Sequence, residues 1–175
     1  MRRRSRGQSL VELALLFPLL VLILFGIIDL GWYVYGYATI YQSARNAAEK
    51  ASLFPPYPSK LGYGTGNVGK PDWNDTCVQQ IMENLGEDAT LFPDLATGDY
   101  VRITYPNEDA SGKPIRELSQ PIEVKIIYPI EPLTPLFRFV NFGNNGRMTV
   151  TTIARRSIES LGNSPQGPNG VVCQP

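Results

Sequence analysis

The sequence predicts an α+β protein: a long N-terminal transmembrane helix extends into an outward domain holding a short helix and a small antiparallel sheet. Three observations carry this expectation. The run from Leu10 to Ile28, LVELALLFPLLVLILFGII, is apolar except at Glu12. Three later segments alternate apolar and polar residues in the manner of half-buried strands. Both cysteines, Cys77 and Cys173, lie beyond the apolar run. The expected organisation is a basic cytoplasmic leader at 1–7, a transmembrane spine helix at 8–54, an extracytoplasmic α+β domain at 55–161 and a Gly/Pro-rich tail at 162–175.

The leader holds Arg2, Arg3, Arg4 and Arg6, whereas Arg45 and Lys50 come well after the apolar run. This asymmetry places the N-terminus in the cytoplasm and the domain outside. At about 1.5 Å per residue the run matches a hydrocarbon core of roughly 30 Å. It is longer than a signal-peptide core, and no small-x-small cleavage site follows it, which argues against a cleaved secretory signal. Trp32, Tyr33, Tyr35 and Tyr37 follow, where amphipathic rings sit at the headgroup level, and Asp29 is expected to mark the outer boundary and reach water.

The helix is expected to continue past the membrane. Val34, Ala38, Tyr41, Ala44, Ala48 and Ser52 recur at helical spacing, and one helix from Leu10 to Leu53 would be roughly 65 Å long. Pro55 and Pro56 end it, having no N–H to donate. Pro18 removes one internal bond and predicts a kink or local unwinding. Gly26, Gly31 and Gly36 are spaced by five and do not form one close-packing face.

Within this helix Glu12 is the residue most in need of explanation, because a carboxylate at the start of a membrane span is costly unless shallow or paired. One reading places it among the headgroups, favoured by the helix dipole. The other gives it a partner. The stretch Arg6, Gly7, Gln8, Ser9, Leu10, Val11, Glu12 resembles the prepilin-peptidase site of type IV pilin-like proteins. By that resemblance the leader is cut between Gly7 and Gln8, and the new amine at Gln8 pairs with Glu12 in the same subunit or a neighbour, fixing assembly register.

The longer stretch from Arg6 to Ser52 resembles TadE-like proteins of the tight-adherence pilus machinery. Arg6, Gly7, Val11, Glu12 and Ala14 supply an RG-x-x-x-VE-x-A opening. Pro18 lies within the apolar run, Asp29 stands at its end, and an Ala-rich segment with Arg45, Ala47 and Ala48 follows. A looser likeness covers the C-terminal strands, with Pro132 to Leu136 between them and Arg155, Arg156 and Glu159 at the end. Leu13 departs from the aromatic that often follows the glutamate at such peptidase sites. The resemblance implies a non-enzymatic minor pilin or pseudopilin component of a tight-adherence pilus. Its partners would be membrane lipid, other pilin or pseudopilin subunits and, if the leader is processed, a prepilin peptidase. The alternative is an uncleaved single-pass anchor subunit of another membrane complex.

The composition agrees with a non-enzymatic role. The chain has 16 basic and 16 acidic residues, and subtracting the leader's arginines leaves the remainder acidic. That is a poor nucleic-acid binder. There is no histidine, which removes histidine-based acid–base schemes and most common metal sites. A membrane-tethered hydrolase would need carboxylate-only chemistry. No catalytic residue, metal or cofactor is predicted.

In the outward domain, the stretch from Pro55 to Asp72 is a Pro-, Gly- and Tyr-rich loop. Its Gly62, Gly64 and Gly66 lack the strand–turn–helix context of a phosphate loop. The stretch from Asn74 to Gly86 reads as a short amphipathic helix with Cys77, Val78, Ile81, Met82 and Leu85 on one face, Asn74 or Asp75 as cap and Gly86 as terminator. Strands are expected around Val101, Ile103 and Tyr105, around Ile122, Val124, Ile126 and Tyr128, and around Met148, Val150, Thr152 and Ala154. The segments from Asn107 to Lys113 and from Asn141 to Gly146 have turn composition. An even cysteine pair in an exported domain predicts a Cys77–Cys173 disulfide, against the alternative of two buried thiols. Its long loop would contribute at most about 4 to 5 kcal/mol. Asp72 and Asp75 read as capping residues rather than calcium ligands, and Asn74-Asp75-Thr76 matches a glycosylation sequon. Tyr57, Tyr63 and Trp73 either cover a sheet edge or form an adhesive patch.

Overall fold

The structure is a computed structural model that describes residues 8–88, 91–92, 94–95, 99–139, 146–161 and 173. The leader with Gly7, positions 141–145 of the expected loop, and the tail apart from Cys173 lie outside the described residues. The helix α1 spans Gln8–Leu53, is uninterrupted at Pro18, and is followed by a 3-10 turn at Pro58–Leu61. Then come α2 (Thr76–Asp88), β1 (Val101–Thr104), β2 (Pro121–Ile130), the single turn α3 (Leu136–Phe139) and β3 (Met148–Ser157). The expected α+β architecture is present, with the three-stranded sheet in the order β1-β2-β3.

The described residues divide into two compact units. The smaller takes the chain through Gly36 together with residues 129–148; the larger takes Tyr37 to Tyr128 together with the chain from Thr149 onward.

The covered stripe of α1 differs from the expected one in its first half. Tyr33, Gly36, Ile40, Ser43, Ala44, Ala47, Ala48 and Ala51 are buried, whereas Val34, Ala38 and Tyr41 are exposed. Apolar periodicity alone does not distinguish a stripe facing protein from one facing lipid or solvent.

In the larger unit the end of α1 is fixed by chemistry as well as by sterics. The helical pattern closes with the Phe54 amide donating to the Lys50 carbonyl at 2.9 Å. The carbonyls of Pro55 and Pro56 then accept from Arg116 Nε at 2.9 Å and from the Tyr105 hydroxyl at 2.5 Å. Arg116 also donates to the Leu161 carbonyl at 2.6 Å, and the amides of Glu159 and Ser160 donate to the Ser52 carbonyl. The end of the helix is thereby tied to the residues after β3.

Gly62, at φ 69°, closes the 3-10 turn in the left-handed region, and a Cβ there would collide with the Asn67 carbonyl oxygen. The carboxylate of Asp75 caps α2, accepting the amides of Cys77 and Val78 at 3.0 Å each. This helix continues past the expected stop at Gly86 to Asp88. A glycine inside a helix costs only about 1 kcal/mol relative to alanine, less than burial of the Cys77, Val78, Ile81, Met82 and Leu85 face contributes.

Strand β1 pairs antiparallel with β2, setting Val101 opposite Ile126 and Ile103 opposite Val124. All four are fully buried. On β2, Ile122, Val124, Ile126, Tyr128 and Ile130 turn inward, and on β3 Thr152 and Ala154 do so, with the parity the alternation predicts. The segment around Asn107 to Lys113 is an exposed turn organised by Asp109, whose carboxylate accepts the amides of Ser111 and Lys113. Those amide bonds hold the Asp109 carboxyl below its usual range.

Candidate anchoring and assembly site

From Leu10 to Leu20 α1 presents its side chains outward on all sides, and most of those from Leu22 to Ile28 are exposed as well. Leu10 is 67% exposed, Leu15 75%, Leu20 63% and Ile27 63%. A helix in the core of a soluble protein would have these covered; one left bare all round requires lipid or other helices. It is long and apolar enough to cross a bilayer, the only such helix among the described residues. Glu12 lies on this bare stretch between Val11 at 61% and Leu13 at 62% exposure. Gln8 is the first described residue of α1, about 6 Å of helical rise before Glu12. Of the three residues expected at a peptidase site, Gln8 and Glu12 are thus on one helix, and Gly7 lies outside the described residues.

Asp29, expected to reach water, is instead fully buried. Within the smaller unit its Oδ1 accepts the Thr134 amide at 2.8 Å and its Oδ2 accepts the Thr134 hydroxyl at 2.5 Å. The carboxyl group replaces water with a two-pronged contact from one residue, which is how a buried polar group avoids its desolvation cost. Neighbouring contacts reinforce it. Trp32 Nε1 donates to the Glu131 carbonyl at 3.0 Å, the Tyr33 hydroxyl donates to the Gly146 carbonyl at 2.6 Å, and Tyr33 meets Phe137 edge-on with centroids 5.9 Å apart. Arg147 and Glu131 form a surface ion pair at 2.6 Å, which adds little stability by itself.

In the larger unit Cys77 and Cys173 lie at disulfide distance, with Cα atoms 5.5 Å apart. They cluster with Phe54, and Leu53 and Tyr57 pack against them. The Arg116 guanidinium sits 4.0 Å above the Tyr57 ring. Tyr63 is half-buried and accepts the Tyr105 amide at 2.9 Å through its hydroxyl oxygen. Burial pushes the Tyr105 phenol well above the usual tyrosine range, with Arg116 pulling weakly the other way. Tyr57 and Tyr63 are therefore engaged in the fold. Asp72 accepts the Asn74 amide at 3.0 Å, so both candidate calcium carboxylates serve the backbone around α2.

This arrangement is a bare apolar helix with one carboxylate near its start and a second clamped where its apolar run ends. Residues 7–49 match the sequence profile of the TadE-like proteins. The N-terminal helix is TadE-like. The matched segment includes Gly7, Gln8, Glu12, Pro18, Asp29 and Arg45 and stops within α1. No curated protein and no solved structure matches the chain. The residue that sequence reasoning missed is Thr134. It stands 105 positions from Asp29, and the only local signal was the Pro-flanked segment holding it.

Proposed function

We propose that the protein is a non-enzymatic minor pilin or pseudopilin component of a tight-adherence pilus, anchored or polymerised through α1. The N-terminus faces the cytoplasm, and the larger unit lies outside the cytoplasmic membrane. The observation that carries this reading is the TadE-like segment itself: it includes the stretch of α1 from Leu10 to Leu20, whose side chains are all exposed and whose one carboxylate is Glu12. A bare helix surface gives an assembly its packing interface, and one charge on it gives that packing a register, since a shifted neighbour leaves the carboxylate unpaired at low dielectric. Cleavage between Gly7 and Gln8 would create the matching amine about one helical turn from Glu12. The Cys77–Cys173 pair is read as a structural disulfide of the exported domain.

N-terminal sequencing of the protein from its native membrane tests the processing step. A mature start at Gln8 supports the pilin-type reading, and retention of the leader points to a static anchor subunit. Glu12→Gln should abolish or misregister incorporation into assemblies while leaving membrane insertion intact. Unchanged incorporation would remove the register role.

A further inference from the structure

The connection between β2 and β3 carries an unusual set of residues for a surface loop. Leu133 is 63% exposed, Leu136 and Phe137 are half-buried, and Pro132 and Pro135 flank Thr134. Its position along α1 is set by two observations in the smaller unit. Thr134 is bonded to Asp29. Leu136 lies beside Gly26, its Cδ2 4.0 Å from where a Cβ on that glycine would stand. Gly26 is about 4.5 Å of helical rise before Asp29, inside the apolar run. Phe25 and Val21, one and two turns before Asp29, are partly covered, whereas every residue from Leu10 to Leu20 is exposed.

Irregular backbone survives at membrane depth only if its polar groups are satisfied within the protein. Several of this segment's backbone groups meet that requirement. Pro132 and Pro135 have no N–H. The Thr134 amide goes to Asp29, the Leu136 amide approaches Thr134 Oγ1 at 3.4 Å, and the Glu131 carbonyl accepts from Trp32. The charged pair Arg147–Glu131 lies at the start and end of the excursion, and Arg138 directly follows Phe137.

We propose that residues 132–137 enter the lipid leaflet at the C-terminal end of the span, with Leu133, Leu136 and Phe137 against acyl chains and headgroup boundary and Asp29 as the polar peg that holds them there. The protein would then touch the bilayer through two elements, α1 and this re-entrant segment. The inference rests on the reading of α1 as a membrane span, and its continuity with that span identifies lipid as the occupant.

The test uses the full chain, with its native cysteines oxidised, in phosphatidylcholine vesicles. A spin label is placed singly at Leu133→Cys, at Ile23→Cys as the bilayer reference and at Leu118→Cys as the aqueous reference, the last two side chains being 53% and 56% exposed. Accessibility to oxygen and to a water-soluble nickel chelate is read for each. The expected result is an oxygen-to-nickel ratio at position 133 several-fold above that at 118 and approaching that at 23. A ratio at 133 equal to that at 118 while 23 reads as lipid overturns the proposal and leaves the span intact. A label at 133 shielded from both reagents also overturns it, because the segment would then be covered by protein, such as a second copy's helix. If 23 itself reads as aqueous, the span reading fails and the proposal with it. A Leu133→Ser chain, which removes the apolar tip without adding a thiol, should shift a label at Leu136→Cys toward the aqueous reference; no shift would count against lipid contact.

Discussion

Replacing Thr134 by valine removes one hydroxyl and little volume, so it probes the Asp29 clamp with minimal disturbance of packing. The substitution deletes the donor 2.5 Å from Asp29 Oδ2 and keeps the backbone amide 2.8 Å from Oδ1. A fully buried acceptor left without its donor costs about 1 to 3 kcal/mol. At about 1.4 kcal/mol per factor of ten, the opening equilibrium of the clamped segment should rise roughly 5- to 150-fold. Amide hydrogen exchange of the full chain in detergent or nanodiscs reads this directly, at Thr134 and Leu136 against the amides of β1 and of Ile126 as an internal standard. Local loss of protection with β1 unchanged is expected, because the larger unit keeps all of its core. The valine also removes the weaker approach of the Leu136 amide to Thr134 Oγ1. A cycle with Asp29→Asn separates the two contributions, since asparagine leaves that approach in place. Unchanged exchange at 134 and 136, or effects of the two substitutions that simply add, would refute the view that Asp29 holds the segment through this hydroxyl.

Further expectations concern the larger unit. Gly62→Ala should destabilise it by more than the about 1 to 2 kcal/mol of a left-handed alanine, because the new Cβ also meets the Asn67 carbonyl. Gly64→Ala, at φ 86° with open space around it, should cost only the conformational part; equal shifts in urea midpoint for the two would contradict this. The Cys77→Ser/Cys173→Ser chain should lose up to about 4 to 5 kcal/mol, and a reductant should lower the midpoint of the wild type to match. Two titratable thiols in the unreduced native protein would rule the bridge out. Burial raises the Tyr105 phenol above the unfolded value near 10, so the folded state retains this proton after the unfolded state has lost it. Stability from this group is complete below about pH 10 and declines as the pH rises further. Tyr105→Phe should be less stable at neutral pH, having lost the bond to the Pro56 carbonyl, yet show a shallower decline above about pH 10. Parallel curves would show that another group is responsible.

The α+β architecture was legible because it rests on local pattern. The apolar run marks α1, Pro55 and Pro56 mark its end, and alternation marks all three strands with the right inward parity. A cap at Asn74 or Asp75 was legible for the same reason, and the structure chooses Asp75. What local pattern missed depends on distant partners. Asp29 reads as a water-facing end of a span until Thr134 is brought beside it, and neither residue carries a mark of the other. The shift of the covered stripe from Val34 and Tyr41 to Gly36 and Ile40 has a similar origin: both sets fit a helical period, and only the contacting surface chooses between them. Gly86 misled because a helix terminator is a preference of about 1 kcal/mol, small beside a buried face. Glu12 was visible in the sequence as the one carboxylate inside the apolar run.

The separation of 105 positions between Asp29 and Thr134 also has a meaning in time. At about 5 to 20 residues per second, the ribosome delivers the apolar helix roughly 5 to 20 seconds before the residue that takes up its terminal carboxyl group. During that interval Asp29 has no Thr134 to satisfy its carboxylate and must keep its contact with water. Closing the clamp is therefore a late step of folding, possible only after the chain through Thr134 has been made.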